Sequence, residues 1–349
     1  MQIAVIPGDG IGPEVIAEAR TVLSAAASIF GKRLDFEELP WGAGHFLVTG
    51  VTVPPDGYAH LREFDAILLG ALGDPRIPDH RHARDILLGT RRELDLYVNY
   101  RPVQLMDARL CPLKDRAPDD VDFVVFRENT EGLYAGIGGR LRPDTEDEVA
   151  IQEEVNTYKG VHRIVRYAFE YAAASGRRRV CMADKSNAME AGHALWQRVF
   201  REVASAFPGI EACHLYVDVL ALRMVQDPTQ FDVIVTNNLF GDILTDLGAA
   251  LQGGLGVAAS ANLHPGRTSM FEPVHGSAPD IAGRNLANPV GAILSAALLL
   301  RHIGWEREAD AIEVAVRRAV IERQVTPDLG GALGTREAGA AVVRNLHTA

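Results

Sequence analysis

Short apolar runs alternate with longer stretches of helical periodicity through most of the chain. The runs at 3–6, 65–69, 123–126, 179–182 and 233–236 are compact and rich in β-branched and aromatic residues, and they read as strands. Segments 13–27, 161–174, 191–207 and 305–322 repeat apolar residues at helical spacing. This alternation predicts an α/β architecture with a largely parallel sheet. With 349 residues, two domains or one large one are expected. Residues 136–157 depart from the pattern. They are polar and Gly-rich at first and then alternate through 148–153, as in an arm that pairs with a second chain or a surface hairpin.

The most informative positions follow the last strand-like run. Asp242 and Asp246 lie four residues apart in a segment that reads as a helix, so both carboxylates share one face. Such a pair is unfavourable unless a positive charge lies between. Magnesium and manganese suit all-oxygen ligands of this kind. An exposed acidic face is the plainer reading of the pair taken alone.

Composition narrows the classes. Hydrophobic residues make up 47% and charged residues 23%, as in ordinary globular proteins. A net charge of −11 without a long basic run argues against nucleic acid or anionic membranes as partners. The apolar stretch 292–300 is too short to span a bilayer, and the first residues lack the basic start of a signal peptide. The three cysteines, Cys111, Cys181 and Cys213, are widely spaced and form no CxxC. They read as buried thiols in a reducing cytoplasm.

Gly8, Gly10 and Gly12 between the first strand and a helix invite a dinucleotide-binding reading. The spacing is GxGxG rather than GxGxxG, Pro13 follows, and Glu37 and Glu38 come too late for the usual ribose contact. The cluster is weak evidence for that fold.

Arg91, Arg101 and Arg127 stand in suggestive contexts. Arg127 closes the run 123–126, and the carboxyl end of a buried strand is where α/β proteins place ligand groups. Guanidinium forks bind carboxylates bidentately, so the three together suit a di- or tricarboxylate. Singly, each is more often a surface ion-pair partner. Lys185 follows another strand and is either a general base with a lowered pKa or a surface lysine. Asp218 follows a short apolar run and is a candidate third metal ligand. Tyr134 is a candidate proton donor. The segment from Glu272 through His275, Gly276, Ser277 and Ala278 to Asp280 reads as a loop whose free N–H groups meet a pyrophosphate.

Taken in order, these segments resemble the β-decarboxylating dehydrogenases, the isocitrate/isopropylmalate dehydrogenase family. The matching stretches are 7–14, the three arginine contexts, 184–187, 238–247 and 271–289, which span nearly the whole chain. The resemblance implies a two-domain, non-Rossmann α/β fold. Residues 1–99 and 253–349 would form the first domain, and 100–252 the second, with the arm and the dimer interface. It also implies a site shared across a homodimer. Arg91, Arg101, Arg127, Tyr134, Asp242 and Asp246 would come from one chain, and Lys185, Asn187 and Asp218 from the other.

By the same resemblance, Asp218, Asp242 and Asp246 hold magnesium or manganese beside the substrate's 2-hydroxyl, which Lys185 helps deprotonate. Hydride passes from C2 to NAD, CO₂ leaves, and Tyr134 protonates the product. Asp280, in place of a lysine found in NADP-preferring relatives, favours a ribose diol and hence NAD. Asn288 would add an adenine-side contact. The substrate's variable group would meet Leu87 and Leu88. No arginine stands at 88, which disfavours a third carboxylate and favours 3-isopropylmalate, with D-malate or tartrate as the alternative. A specialised-pathway paralogue is a further alternative. A regulatory subunit of the same fold is the reading outside catalysis, and the full set of candidate catalytic residues argues against it.

Overall fold

The computed structural model describes residues 1–347. Its strands are β1 (Gln2–Ile6), β2 (Asp35–Glu38), β3 (Ala66–Leu69), β4 (Val98–Gln104), β5 (Asp122–Glu128), β6 (Gly138–Leu141), β7 (Val149–Gln152), β8 (Arg179–Asp184), β9 (Glu211–Tyr216), β10 (Val233–Thr236), β11 (Ala259–Leu263) and β12 (Ser269–Pro273). Ten of them form one mixed sheet in the order β2-β1-β3-β12-β11-β4-β5-β10-β8-β9. The two flanks are parallel, as the βα alternation predicts. The middle is not, because β12, β11, β4 and β5 pair antiparallel. The chain crosses from one flank to the other through β4 and β5 and returns through β11.

The strand-like runs at 3–6, 123–126, 179–182 and 233–236 all fall on strands, and 65–69 covers β3 with one extra residue. The four predicted helices appear as Gly12–Ile29, Tyr158–Ser175, Glu190–Ala204 and Glu306–Ile321. The third stops earlier than expected. Residues 205–207 turn back instead, toward Pro208 and Gly209. The apolar stretch at 292–300 lies in the buried helix Val290–His302, and no described helix is long and apolar enough to cross a membrane.

Alternation along β4 and β5 separates two faces. Phe126 and Tyr100 point toward the helix Tyr158–Ser175, where Tyr171 meets both rings. Arg101 and Arg127 point the other way, toward the helix Asn238–Gln252. Gly241 lets that helix come close, since a Cβ there would lie 2.6 Å from the Arg127 Cβ. This close approach brings Asp242 to the arginine.

The segment 136–157 contains a two-stranded hairpin, β6 with β7. Both strands are exposed throughout, and Leu141, Val149 and Ile151 crowd one of its faces. The cysteines depart from expectation. Cys181 is buried, but Cys111 and Cys213 are half-buried, and all three touch one apolar cluster.

Candidate active site

The helix Asn238–Gln252 starts directly after β10. Asn237 caps it by accepting from the Phe240 N–H at 2.9 Å. Asp242 and Asp246 project from this helix on one side, as their spacing requires. Asp242 is held tightly. Arg127 Nη1 donates to its Oδ1, Arg101 Nη2 lies 3.5 Å from the same oxygen, and the Tyr134 hydroxyl donates to Oδ2 at 3.1 Å. Burial alone would raise the Asp242 carboxyl, but Arg127 and Arg101 outweigh it and hold it below the usual range. Asp246 goes the opposite way. Burial and the negative charge of Asp242 raise it. That is the signature of a carboxylate pair short of positive charge on the Asp246 side.

The arginines form a buried trio. Arg127 is 2% exposed and Arg91 4%. Asn238 Oδ1 accepts from Arg127 Nε at 2.9 Å and Nη2 at 2.6 Å, which orients the fork. Thr245 Oγ1 accepts from Arg101 Nη1 at 2.7 Å. Arg91, on the short helix Thr90–Glu93, donates to Glu272 Oε1 at 2.9 Å, and that carboxylate also accepts from Asn262. Burial lowers the affinity of Arg101 and Arg127 for their protons, and for Arg127 the nearby Arg101 and Arg91 add to it. Nε of Arg91 and Nε of Arg101 are buried with no acceptor among the described residues. Such donors are costly unless a ligand or water meets them.

Tyr134 lies beneath the arginine fork, with the Arg127 guanidinium carbon 5.3 Å from its ring centre. Burial and the Asp242 charge raise its phenol, so it keeps its proton at neutral pH.

Lys185 and Asp218 pair with each other, Nζ to Oδ1 at 2.8 Å, just past β8 and at the start of the helix Val217–Gln226. No hydrogen bond or ion pair links them to Asp242 or Asp246 within this chain, and Asn187 is exposed. Among the described residues, no group of three or more His, Cys, Asp or Glu side chains converges as a metal cage. Asp242 and Asp246 thus lie together in this chain, while Asp218 pairs with Lys185 apart from them.

The loop from Glu272 to Asp280 packs on the glycine-rich turn. The Ile11 N–H donates to the Ser277 carbonyl at 2.8 Å, and Gly10, with φ of 57°, approaches Ser277 too closely for any side chain. The glycines thus serve a backbone contact. The N–H groups of Gly276, Ser277 and Ala278 donate to no acceptor among the described residues. His275 Nδ1 lies 3.0 Å from the Gly276 carbonyl, burial disfavours its charged form, and its enclosed Nε2 has no partner. The loop therefore offers free donors and an acceptor, which suits a pyrophosphate with sugar hydroxyls. Glu272 faces Arg91 rather than open loop, and the Asn288 side chain is already engaged, with Asp328 at 2.8 Å and the Val290 N–H at 3.0 Å.

Leu87 and Leu88 lie on a π-helical turn, Arg84–Gly89. Leu87 packs against the cluster around Trp41 and Leu61, with Tyr58 and Val53 nearby, whereas half-buried Leu88 stays outside that cluster. Sequence reasoning missed several supporting residues. Asn238 and Thr245 orient the arginines, and buried His193 accepts the Lys185 N–H at 2.7 Å. Asn238 lay inside the motif, but nothing in the sequence singled out His193.

The family model for isocitrate/isopropylmalate dehydrogenases matches residues 2–342. The chain belongs to that family. It is 47% identical to a 3-isopropylmalate dehydrogenase of Thermobifida fusca, over 99% of this chain and 98% of that one. It is 45% identical to a tartrate dehydrogenase/decarboxylase of Pseudomonas putida, over 99% and 97% of the two chains. A crystal structure of isocitrate dehydrogenase from Methylococcus capsulatus superposes with a TM-score of 0.90 at 39% identity, covering 99% of each chain. The expected resemblance and the α/β fold are borne out, and this family member is a dehydrogenase.

Proposed function

We propose that the protein carries out the oxidative decarboxylation of a (2R)-2-hydroxy acid with a β-carboxylate, using NAD and magnesium or manganese, and that its substrate is 3-isopropylmalate. The observation that carries this reading is the buried arginine trio gathered on Asp242 and Glu272. Arg91, Arg101 and Arg127 face three carboxylates, Asp242, Asp246 and Glu272, so the cluster is near neutral. A dianionic substrate entering with a divalent cation leaves that balance unchanged, which favours their joint binding.

We read residues 1–99 with 253–349 as one domain and 100–252 as the other, with the site between them. A homodimer completes it. Asp218, Leu222 and Val225 share a face of the helix Val217–Gln226, and Leu222 and Val225 are 55% and 44% exposed. Ile243, beside Asp242, is 60% exposed, and the hairpin adds a second apolar face. Exposed apolar surface beside site carboxylates fits an interface that carries Asp218, Lys185 and Asn187 into a neighbouring site. The two unbridged cysteines among the described residues that face each other fit a reducing cytoplasm.

Bound NAD supplies a hydride acceptor, and a bound divalent cation supplies a Lewis acid beside the 2-hydroxyl. Asp242 and Asp246 from one chain and Asp218 from the other would hold the cation. The loop from His275 to Asp280 would hold NAD, with Asp280 toward the adenine ribose. A neutral Lys185 Nζ, released from its ion pair when Asp218 turns to the cation, would take the hydroxyl proton directly or through water. The arginines hold the leaving carboxylate and fix the reacting geometry. The Tyr134 hydroxyl gives its proton to the carbon that CO₂ leaves.

Leu88 supplies an apolar contact for the isopropyl group. The turn of Leu87 into the core favours, as a second reading, a smaller substrate such as D-malate or tartrate. Assaying 3-isopropylmalate, D-malate, tartrate, isocitrate and homoisocitrate side by side with NAD and Mn²⁺ tests this. Each methylene buried is worth ~0.8 kcal/mol, so 3-isopropylmalate leads modestly. A higher kcat/KM for D-malate or tartrate transfers the assignment to them.

A further inference from the structure

Cys181 and Cys213 are 32 residues apart in sequence and neighbours in the sheet. β8 and β9 run parallel with Cys181 paired directly to Cys213. Paired residues on adjacent strands are ~4.8 Å apart, and their side chains leave the same face. That separation is within the ~4.4–6.8 Å between Cα atoms that a disulfide spans. The Cys181 Sγ lies 4.0 Å from the Met182 carbonyl, beside the paired position of Cys213. Their surroundings differ. Cys181 is buried, whereas Cys213 is half-buried on β9, the edge strand of the sheet.

We propose that Cys213 and Cys181 form a two-cysteine oxidation site for hydroperoxides, with Cys213 the attacking and Cys181 the resolving thiol. The electrostatics agree with this order. The neighbouring Cys181 thiol favours the Cys213 thiolate, against burial and Glu211, and Arg179 and Arg223 add positive charge nearby. The neighbouring Cys213 and burial push the Cys181 thiol up. An accessible thiolate beside a resolving cysteine is the arrangement that reacts reversibly.

The chemistry closes on one equivalent of hydrogen peroxide. The Cys213 thiolate attacks the O–O bond, a sulfur–oxygen bond forms, and hydroxide leaves and takes a proton to become water. The Cys181 sulfur then attacks the Cys213 sulfur, and the sulfenic oxygen departs as a second water with the remaining proton. Two thiols lose two electrons and two protons, and the peroxide is reduced to two waters.

The bond would tie together the strands that end at the Lys185–Asp218 pair. Lys185 follows Cys181 by four positions, and Asp218 follows Cys213 by five. A disulfide favours Cα atoms ~5.5–6 Å apart, so forming it spreads β8 from β9 and shifts both groups, and a displacement of about 1 Å at a catalytic group is enough to slow turnover.

Treating the full-length protein with stoichiometric hydrogen peroxide tests the site by mass alone, whether or not the functional reading is correct. The expected result is a loss of about 2 Da, a non-reducible-to-reducible shift of a Cys181–Cys213 linked peptide, and full reversal by dithiothreitol. Cys111→Ser should behave the same way. Cys181→Ser should stop at a sulfenic acid on Cys213 that dimedone traps. Oxidation confined to Cys111, a first adduct on Cys181, or linkage between chains would overturn the proposal. With any substrate the enzyme turns over, the oxidised form should show a kcat about tenfold lower, restored by dithiothreitol and protected in Cys213→Ser. A disulfide that forms with kcat unchanged would refute the link to Lys185 and Asp218.

Discussion

Asp242 with Arg127 and Asp218 with Lys185 are both close ion pairs near the carboxyl ends of strands, and their surroundings could hardly differ more. Arg127 is buried, each nitrogen of its fork donates to Asn238 or Asp242, and Arg101 and Tyr134 converge on the same carboxylate. The Asp218 side chain is 61% exposed, and Lys185 is its one ion-pair partner among the described residues. Exposed pairs contribute little to stability, ~0–1 kcal/mol. Yet the Lys185 backbone is anchored by buried His193, and its neighbour Asp184 is fixed by Ser186 and His214. On the proposed reading, a turn held that firmly beneath a weak surface pair serves a neighbouring chain. The contrast is then that of a divided site, with the anion-binding half formed internally and the proton-handling half presented outward.

The largest effect should come from taking the two pairs apart separately. Asp242→Asn removes the counter-ion of the arginine trio and, on the proposed reading, a metal-ligand charge. Turnover should fall by about 10³-fold or more, and Mn²⁺ affinity should drop with it, as measured by titration. Lys185→Met should cost as much activity but change unfolding free energy by less than ~1 kcal/mol. If turnover survives exhaustive chelation, the metal reading of Asp242 and Asp246 is wrong.

Mixing the two variants sharpens the division. Each homodimer should be inactive. Unfolded and refolded together in equal amounts, about half the dimers should be mixed, and each should hold one intact and one doubly damaged site. Activity should recover to about a quarter of wild type. Mixed dimers confirmed by mass spectrometry but lacking activity would mean that Lys185 serves its own chain or that the sites cannot work singly.

Tyr134→Phe probes the internal half more gently. The ring and its contact with Arg127 remain while the proton is lost. Decarboxylation and protonation should slow by about 10²-fold or more, with hydride transfer less affected in single-turnover measurements. Unchanged overall activity would make Tyr134 a structural residue.

The parallel flanks were legible because β1, β3, β8 and β10 are continuous apolar runs. The antiparallel centre was not. β4 carries Asn99, Arg101 and Pro102, and β11 carries Ser260 and Asn262. The Asn99 amide donates across strands to Ser260 and Asn262 at 3.0 Å each, so polar side chains sit in the interior and hydropathy alone cannot flag these strands. The site follows the same rule. Asp242 and Asp246 announce themselves by helical spacing and the arginines by their type. The supports from Thr245 and His193, the Glu272–Arg91 pair and the meeting of Cys181 with Cys213 all depend on contacts between distant elements, which no local pattern encodes.

The smallest expected effect lies away from both pairs, on the loop that would carry NAD. Asp280 is exposed at the end of a segment whose N–H groups at 276–278 are free, and its side chain makes no ion pair among the described residues. An exposed carboxylate there can accept from a ribose diol and repels a 2′-phosphate, so NAD should exceed NADP in kcat/KM. Asp280→Lys replaces an acceptor with a cation. The repulsion disappears and a phosphate partner takes its place, so the ratio should narrow by about tenfold, roughly the energy of one or two solvent-exposed charge contacts. It should not invert, because Ile281 still offers the phosphate no hydrogen bond. Since Asp280 touches neither Asp242 nor Lys185, kcat with saturating NAD should change little. A large fall in kcat would place Asp280 in the catalytic geometry, and a wild-type preference for NADP would refute its role in cofactor choice.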